Sequence, residues 1–290
     1  MIQQLEKYFQ HIQLPKPDSH KGQNGKLLII GGSELFHAAS KWSLDIASRF
    51  VDMVFYASVP SNNVLMQEAK GQFWNGIVVS REHLEPYLQE ADCVLIGPGM
   101  ERSEETAKIT NELLTKYPTK KWVIDAGALQ MIDPRLLTAT CIVTPHKHEF
   151  TQLCEAAVKA ELLPPNTALL QLESATDLTQ FTKDLLGFSH ALHGATILRK
   201  APQDLIIQEN LSEPIIIEGG NAGMTKGGTG DVLAGLVAGL YSTNEALSSA
   251  VVGSYINKKA GESLYEKVGP YFNASDLVTE IPQIIWKELH

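Results

Sequence analysis

The residues best placed to do chemistry lie in one glycine-rich segment of the second half of the chain. From Gly219 to Gly235 the sequence reads GGNAGMTKGGTGDVLAG, and a run of apolar residues begins at Val232. Glycines let the backbone approach a ligand closely, and the free N–H groups of a first helical turn attract anions. With Lys226 as an added cation, the segment predicts a phosphate site at the start of a helix.

Asp231 is the residue of this segment whose charge needs an explanation. In the first turn of a helix a carboxylate interacts favourably with the helix dipole, which would be a purely structural role. Beside a phosphate the same charge is repulsive, unless the carboxylate takes a proton from a hydroxyl that attacks a phosphoryl group. The residues alone leave both interpretations open.

Two common nucleotide-binding motifs do not fit this chain. The glycine-rich segment lacks the G-x-x-x-x-G-K-[ST] spacing of a P-loop. Gly97-Pro98-Gly99 begins like G-x-G-x-x-G, but Arg102 stands where the third glycine is needed. The sequence therefore indicates neither a P-loop nor a Rossmann fingerprint.

Further polar side chains follow two other apolar runs. His146, His148 and Glu149 could suggest a metal site, but histidines two residues apart diverge on an extended chain. We therefore expect no metal held by protein ligands here, and we favour His146 as a hydrogen-bond partner of a substrate. Asp125 could cap a helix or bind Mg²⁺ through water, and we favour the cap.

Short apolar runs alternate with helix-length stretches along the chain. Strands are predicted at 26–30, 53–57, 76–79, 93–96, 122–124, 141–143, 196–198, 205–207 and 215–217. Helical stretches are predicted near 37–49, 81–89, 103–116, 146–160, 166–187, 231–241 and 244–265. Several strands are continuous apolar runs, which are typical of parallel strands covered on both faces.

This alternation predicts an α/β fold, a three-layer α/β/α sandwich with a mostly parallel central sheet. Since no Pro- or Ser-rich linker interrupts the pattern, we expect a single domain over 1–290, with 1–25 as a helical N-terminal extension. Ala234, Gly235, Ala238 and Gly239 give the helix after the glycine-rich segment a small side, which predicts close packing on the sheet. Ligands of such folds bind beyond the carboxyl ends of the strands.

Composition excludes several other classes of function. The 24 basic and 33 acidic residues give a net charge of −9, opposite in sign to that expected of a nucleic-acid-binding protein. Three scattered cysteines without a C-x-x-C pair suit a reducing compartment. With no signal pattern and no apolar run of about 18 residues, we expect a cytoplasmic protein that does not enter membranes.

Taken together, six segments in order resemble the ADP/ATP-dependent NAD(P)H-hydrate dehydratases, repair enzymes of the ribokinase-like superfamily. The glycine-rich segment is similar to the family's signature. The other five are GGSELFHAA at 31–39, IGPGM at 96–100, VIDAGAL at 123–129, VTPHKHEF at 143–150 and RKAPQDLII at 199–207. The match extends from about Lys26 into the C-terminal region.

The resemblance implies an enzyme that spends ATP or ADP, with Mg²⁺, to remove water from hydrated NADH or NADPH. The reduced cofactor, phosphate and ADP or AMP are released. Asp231 would be the catalytic base and would contact the hydrate together with Ala39, Gly99 and His146. The adenine nucleotide would be held by Lys200, Ala201, Pro202, Gln203, Asp204, Gly227, Gly228, Thr229 and Gly230.

Four positions depart from the family's pattern, namely Ala38, Gly127, His148 and Ala201. The second and third of these concern the substrate pocket rather than the fold. Two alternatives remain beside the dehydratase, a vitamin-precursor kinase of the same superfamily and a non-catalytic adenine-nucleotide sensor. Family members are commonly homo-oligomers, often tetramers, and the resemblance implies the same here.

Overall fold

The core of the computed structural model is a single twisted sheet, and the structure describes residues 2–71, 75–171 and 178–290. Within these ranges nine strands form the sheet. The strands are β1 Lys26–Ile30, β2 Met53–Ser58, β3 Ile77–Ser80, β4 Cys93–Ile96, β5 Lys121–Ile124, β6 Cys141–Val143, β7 Thr196–Arg199, β8 Asp204–Ile207 and β9 Ile215–Ile217.

The strand order is β3-β2-β1-β4-β5-β6-β7-β8-β9. The pairs from β3 to β7 are parallel, and only β8 runs against its neighbours β7 and β9. The chain moves outward from β1 to β3 and then returns to the other side of β1 with β4. The loops after β1 and β4 therefore diverge at this edge of the sheet, as expected for a ligand-binding crevice.

Helices cover both faces of the sheet. The described helices are α1 Ile2–Gln10, α2 Ala38–Ala47, α3 Pro60–Ala69, α4 Glu85–Glu90, α5 Glu104–Lys116, α6 Ala126–Met131, α7 Lys147–Lys159, α8 Leu178–Ala191, α9 Thr229–Thr243, α10 Ala246–Val268 and α11 Ala274–Leu289. None of them is both long enough and apolar enough to cross a membrane.

The alternation of side chains along β1 shows how the two faces are filled. Leu27 and Ile29 join a core with α2, α9, α10 and α11, whereas Leu28 and Ile30 join a second core with α5, α6, α7 and α8. All four side chains are fully buried. This double burial explains why the strand is a continuous apolar run, and it confirms the predicted three-layer α/β/α fold.

Each of the nine predicted strands is present, with ends within one residue of the prediction. Helices α3, α6 and α11 were not predicted. Helix α11 contains Pro282, which usually ends a helix, but Leu277 and Ile281 are fully buried and hold the helix on the core. The predicted stretch 166–187 contains a 3₁₀ turn at Ala168–Gln171 and most of α8, and its residues 172–177 lie outside the described ranges.

Helix α9 packs on strands β1, β4 and β5, but the two glycines of its small side, Gly235 and Gly239, face helix α2 rather than the sheet. A Cβ built at Gly235 would lie 2.6 Å from the carbonyl oxygen of Ser43, which belongs to α2. Ser43 Oγ also donates a 2.8 Å hydrogen bond to the backbone oxygen of Asp231. The glycine thus lets α2 and α9 approach closely, and α2 fixes the first turn of α9.

Candidate functional site

A cavity of about 600 Å³ opens at the carboxyl edge of the sheet. Its walls are the turn between β7 and β8, the loop after β9, the start of α9 and one side of α10. The lining residues are His146, Lys200, Ala201, Pro202, Asp204, Gly219, Gly220, Asn221, Ala222, Met224, Thr225, Thr229, Gly230, Leu233, Asn257 and Lys258. The cavity thus combines residues of the glycine-rich segment with residues of the segment at 199–207.

The turn between β7 and β8 is held by a buried carboxylate. Asp204 Oδ1 accepts a 2.7 Å hydrogen bond from the backbone N–H of Ala201, and Asp204 Oδ2 accepts one of 2.7 Å from Ser254 Oγ. Gln203 points elsewhere: its amide donates to Glu218, and it does not line the cavity. Of the five residues expected to hold the nucleotide here, the structure therefore brings four to the cavity wall.

The glycine-rich segment turns into α9 at Gly228, whose φ of +96° lies in the left-handed region. A Cβ there would lie 2.5 Å from the Trp42 ring, so only glycine fits. Gly227 and Gly228 do not line the cavity, whereas Thr229 and Gly230 do. The hydroxyl of Thr229 is occupied within the turn, since it donates 2.7 Å to the backbone oxygen of Met224. What Thr229 and Gly230 offer a ligand is mainly backbone at a helix start.

Lys226 does not add a cation to this site, and that expectation was wrong. Its ammonium donates to the backbone oxygens of Pro270 and Phe272 and lies over the ring of Phe272. These carbonyls belong to the loop between α10 and α11, and no sequence pattern predicts that this loop contacts Lys226. Lys226 therefore joins the glycine-rich segment to that loop.

The cation beside the start of α9 is Lys200. Its Nζ donates a 2.8 Å hydrogen bond to Asp125 Oδ1, and a Cβ built at Gly230 would lie 3.6 Å from the same Nζ. Asp125 Oδ1 also accepts a 2.7 Å bond from Thr144 Oγ1. Asp125 stands before α6 but its side chain makes no capping hydrogen bond, so the favoured capping role was wrong.

Burial and the neighbouring charges of Lys200 and Asp125 shift the pKa of Asp231. Burial, together with the charge of Asp125, raises the pKa of the Asp231 carboxyl to about 7, although the ammonium of Lys200 opposes the shift. Burial would lower the pKa of Lys200, but the carboxylates of Asp125, Glu149 and Asp231 outweigh it and raise that pKa. Lys200 therefore stays charged while Asp231 can exchange a proton near neutral pH.

His146 begins α7 and lines the same cavity from the β6 side. Its Nδ1 accepts hydrogen bonds of 3.1 and 3.2 Å from the backbone N–H groups of His148 and Glu149. Glu149 completes a capping box by accepting a 2.9 Å bond from the backbone N–H of His146. Because Nδ1 is an acceptor, the proton of a neutral ring lies on Nε2, which is the donor of the ring and lies 3.4 Å from Glu149 Oε1.

Ala39, in the first turn of α2, and Gly99, in the loop after β4, meet on the other side of this edge. Gly99 has φ +72°, and a Cβ there would lie 2.8 Å from the backbone oxygen of Phe36 and 3.0 Å from Ala39 Cβ. The backbone N–H of Gly32 donates a 2.7 Å hydrogen bond to Pro98 and ties the two loops together. Neither Ala39 nor Gly99 lines the 600 Å³ cavity.

Comparisons with known proteins agree with this arrangement of segments. A family model described as NAD(P)H-hydrate dehydratase matches residues 27–283. The chain belongs to the NAD(P)H-hydrate dehydratase family.

Two curated relatives of this dehydratase family are similar over most of this chain. The ADP-dependent (S)-NAD(P)H-hydrate dehydratase of Nitrosopumilus maritimus is 32% identical, over 93% of this chain and 91% of the relative. The bifunctional NAD(P)H-hydrate repair enzyme Nnr of Methanocaldococcus jannaschii is 34% identical over 92% of this chain. The chain spans only about half of that second relative, namely 49% of its length.

Solved structures share the dehydratase family's fold. A ribokinase-like superfamily protein from Enterococcus faecalis has a TM-score of 0.79 at 21% identity, covering 98% of this chain and 94% of that one. The ADP/ATP-dependent NAD(P)H-hydrate dehydratase of Bacillus subtilis, co-crystallised with ATP/Mg²⁺, has a TM-score of 0.77 at 19% identity, covering 99% and 97%. The ribokinase-like fold is thereby confirmed, and the family match does not favour the kinase or sensor alternatives.

One departure from the dehydratase pattern has a steric reason. A Cβ built at Gly127 would lie 2.1 Å from the backbone oxygen of Met100, in the loop after β4. Any side chain at this position would therefore push that loop away from α6.

Asn257 and Lys258 also line the cavity, and no motif in the sequence singles them out. They lie in the middle of α10, a helix with no glycine cluster or polar motif at that point. Their only signal is that a lysine and an asparagine stand next to each other on a helix that is otherwise buried there.

Proposed function

We propose that this protein dehydrates hydrated NADH or NADPH at the expense of ADP or ATP. The observation that carries the proposal is the position of Asp231 in the first turn of α9, directly after Gly230, which lines the 600 Å³ cavity. Its raised pKa of about 7 suits a base at this position. Membership of the NAD(P)H-hydrate dehydratase family supports the same chemistry. The relative from Nitrosopumilus maritimus is named as ADP-dependent, and the Bacillus subtilis one as ADP/ATP-dependent.

The nucleotide would lie in the 600 Å³ cavity with its phosphates at the start of α9. Gly230 offers backbone without a side chain there, and Lys200 supplies a partly buried ammonium, 19% exposed, held in place by Asp125. An N–H group at a helix start and a fixed cation are favourable partners of a phosphate. The turn holding Ala201 and Pro202 would then lie against the nucleoside.

Asp231 would take the proton from the ring hydroxyl of the hydrate. The hydroxyl oxygen attacks the terminal phosphoryl group, a new P–O bond forms, and the bond to the leaving ADP or AMP breaks. The phosphorylated oxygen then leaves the ring as phosphate, and the ring loses a proton from the neighbouring carbon to restore its double bond. A base with a pKa near the working pH suits the first step.

The hydrate would approach from the side of the loops after β1 and β4. Ala39 and Gly99 carry no side chain larger than a methyl group, so no long side chain of theirs would obstruct a flat ring. His146 would donate from Nε2, since Nδ1 already accepts two backbone N–H groups. These assignments follow the family's segments onto the loops that meet at this edge.

Mg²⁺ fits this edge as an ion that arrives with the nucleotide. Asp125 and Asp231 are oxygen ligands of the kind Mg²⁺ prefers, and they would hold it through water. Within the described ranges, no group of three His, Cys, Asp or Glu side chains could hold a metal by itself. When bound, the ion would draw negative charge from the phosphate oxygens.

The decisive experiment follows the reduced-nicotinamide absorbance of hydrated NADH incubated with the protein, Mg²⁺ and ADP or ATP. We expect the absorbance to return with at least one nucleotide and phosphate to be released in equal amount. A folded sample that restores no absorbance with either nucleotide would overturn the proposal. Incubation with ATP and vitamin-precursor alcohols in parallel tests the kinase alternative.

The proposal includes a homo-oligomer, as large as a tetramer, working in the cytoplasm. The three cysteines, Cys93, Cys141 and Cys154, are buried and free, which suits a reducing compartment. Sedimentation of the purified protein would give its oligomeric state, and a dilute sample that stays monomeric would contradict this part.

A further inference from the structure

The α10 wall of the cavity carries two neighbouring polar side chains, Asn257 and Lys258. Lys258 is 7% exposed, and its Nζ donates hydrogen bonds of 2.9, 3.0 and 3.3 Å to the backbone oxygens of Ala201, Pro202 and Gly219. This ammonium is therefore occupied in joining the turn after β7 to the loop after β9. The Lys258 ammonium thus fixes the width of the cavity and has few hydrogen bonds left for a ligand.

Three other polar side chains of the cavity wall are also satisfied by the surrounding backbone. Asn221 accepts from the backbone N–H of Gly223 and donates to the backbone oxygen of Gly261. The hydroxyls of Thr225 and Thr229 donate to the backbone oxygens of Ala222 and Met224, respectively. Asp204 is satisfied by Ala201 and Ser254. These groups shape the cavity but have few hydrogen bonds left to offer.

Asn257 differs from all of them. Its side chain is 5% exposed, and its Oδ1 has no hydrogen-bond partner in the part of the chain that the structure describes. A buried amide oxygen without a partner is costly, because it has lost its water without gaining a replacement. Because Asn257 lines a ligand cavity, its missing hydrogen-bond partner is explained if the ligand supplies one.

We propose that Asn257 reads the base of the bound nucleotide and so selects adenine. This inference rests on the proposed use of ADP or ATP. The amide offers an acceptor and a donor side by side, which match the 6-amino group of adenine and an adjacent ring nitrogen. On the edge that carries N7, a base with a 6-oxo group presents two acceptors where adenine has a donor and an acceptor, so the amide cannot make both hydrogen bonds to it.

The walls around Asn257 suit a flat heteroaromatic base. Ala201, Pro202, Met224 and Leu233 line the cavity with apolar surface, whereas the phosphate groups would lie with Gly230 and Lys200 at the start of α9. Apolar walls give a base contact area without selecting among bases. We therefore assign the selection among bases to Asn257, the side chain whose amide oxygen has no partner among the described residues.

The test is calorimetric titration with ADP and with IDP, which differs by a 6-oxo group, in the absence of the hydrate. We expect wild-type protein to prefer ADP over IDP by roughly 10-fold or more. Asn257→Leu removes both hydrogen-bonding groups at similar size and should abolish most of that preference by weakening ADP alone. If Asn257→Leu does not fold, Asn257→Ala carries the same test with no added bulk.

Asn111→Leu is the matched control, because Asn111 is a partly buried helical amide on α5 that bonds to Met131 and Asp133, away from the cavity. Its ADP preference should equal that of the wild type. Equal affinity of wild-type protein for ADP and IDP, or equal weakening of both by Asn257→Leu, overturns the base-reading role. Wild-type protein that binds ADP selectively but restores no NADH overturns the proposed function alone, and wild-type protein that fails to bind ADP overturns both.

Discussion

Lys200 Nζ lies 2.8 Å from Asp125 Oδ1, and this partly buried contact joins the end of β7 to the end of β5. Thr144 Oγ1 binds the same oxygen from the end of β6. Three adjacent strands thus place one cation and one carboxylate next to the first turn of α9. The electrostatic state of Asp231 depends on this pair, since one member raises its pKa and the other lowers it.

Asp231→Asn should lower turnover by about 10²–10⁴-fold if Asp231 is the base, because the amide cannot take a proton at neutral pH. Nucleotide affinity should hold or rise, since a negative charge near the phosphates is removed. Steady-state kinetics with hydrated NADH and titration with ADP give both values. Turnover within a few fold of wild type would contradict the catalytic role.

The same variant should be more stable than wild type at alkaline pH. The folded pKa of Asp231, about 7, is above its ordinary value of 3.8, so its ionisation destabilises the folded state progressively between these pH values and fully above them. The gain in Tm should therefore be largest near pH 8 and small near pH 4. Asp276→Asn is the matched first-turn control on α11, and it should lower Tm because the Asp276 carboxylate accepts the N-cap N–H of Asn273.

The kcat/KM for the hydrate should fall on the acid side of about pH 7, as Asp231 becomes protonated. Lys200→Met should move this limb to higher pH, because the ammonium that lowers the pKa of Asp231 is gone. Asp125→Asn should move it to lower pH, because a charge that raises that pKa is gone. Shifts in the opposite directions, or a limb that neither variant moves, would show that another group titrates.

Gly230→Val should weaken ADP binding by 10-fold or more, which is on the order of losing one charged hydrogen bond to phosphate. The Tm should stay nearly unchanged. Gly230 does not have a positive φ, and the one described atom within 4 Å of its built Cβ is Lys200 Nζ, at 3.6 Å. The valine would thus occupy the space of the phosphate without straining the fold. Gly228→Ala gives the contrast, since its φ of +96° and the Trp42 ring at 2.5 Å should lower Tm.

His146→Ala should raise the KM for the hydrate more than the Kd for ADP, and should also cost about 0.5–2 kcal/mol of stability through loss of the helix cap. His146→Asn separates the two effects. Asparagine can accept the N–H groups of His148 and Glu149 at the start of α7, but it lacks the Nε2 donor. Normal stability with a raised hydrate KM is the expected result, and an altered ADP affinity with normal hydrate kinetics would reverse the assignment.

The sequence by itself determined the layers of the fold and the order of the segments at its functional edge. Continuous apolar runs such as Leu27–Ile30 are informative because a strand buried on both faces has few polar residues, and each such run became a strand. The glycine cluster before Asp231 likewise predicted a helix start, since glycine at Gly228 and an acidic first turn are local requirements. Local sequence patterns therefore predict backbone conformation, namely where strands and helices begin and end.

Only the tertiary structure decided which side chains meet. Lys226 and Lys200 look alike in sequence, but Lys226 binds carbonyls of the loop before α11, whereas Lys200 turns to Asp125. The raised pKa of Asp231 and the missing hydrogen-bond partner of the Asn257 amide oxygen also depend on tertiary contacts. Hydrogen bonding, burial and charge interactions depend on distances between loops that are far apart in sequence, and those distances are set only when the sheet brings its strand ends to one edge.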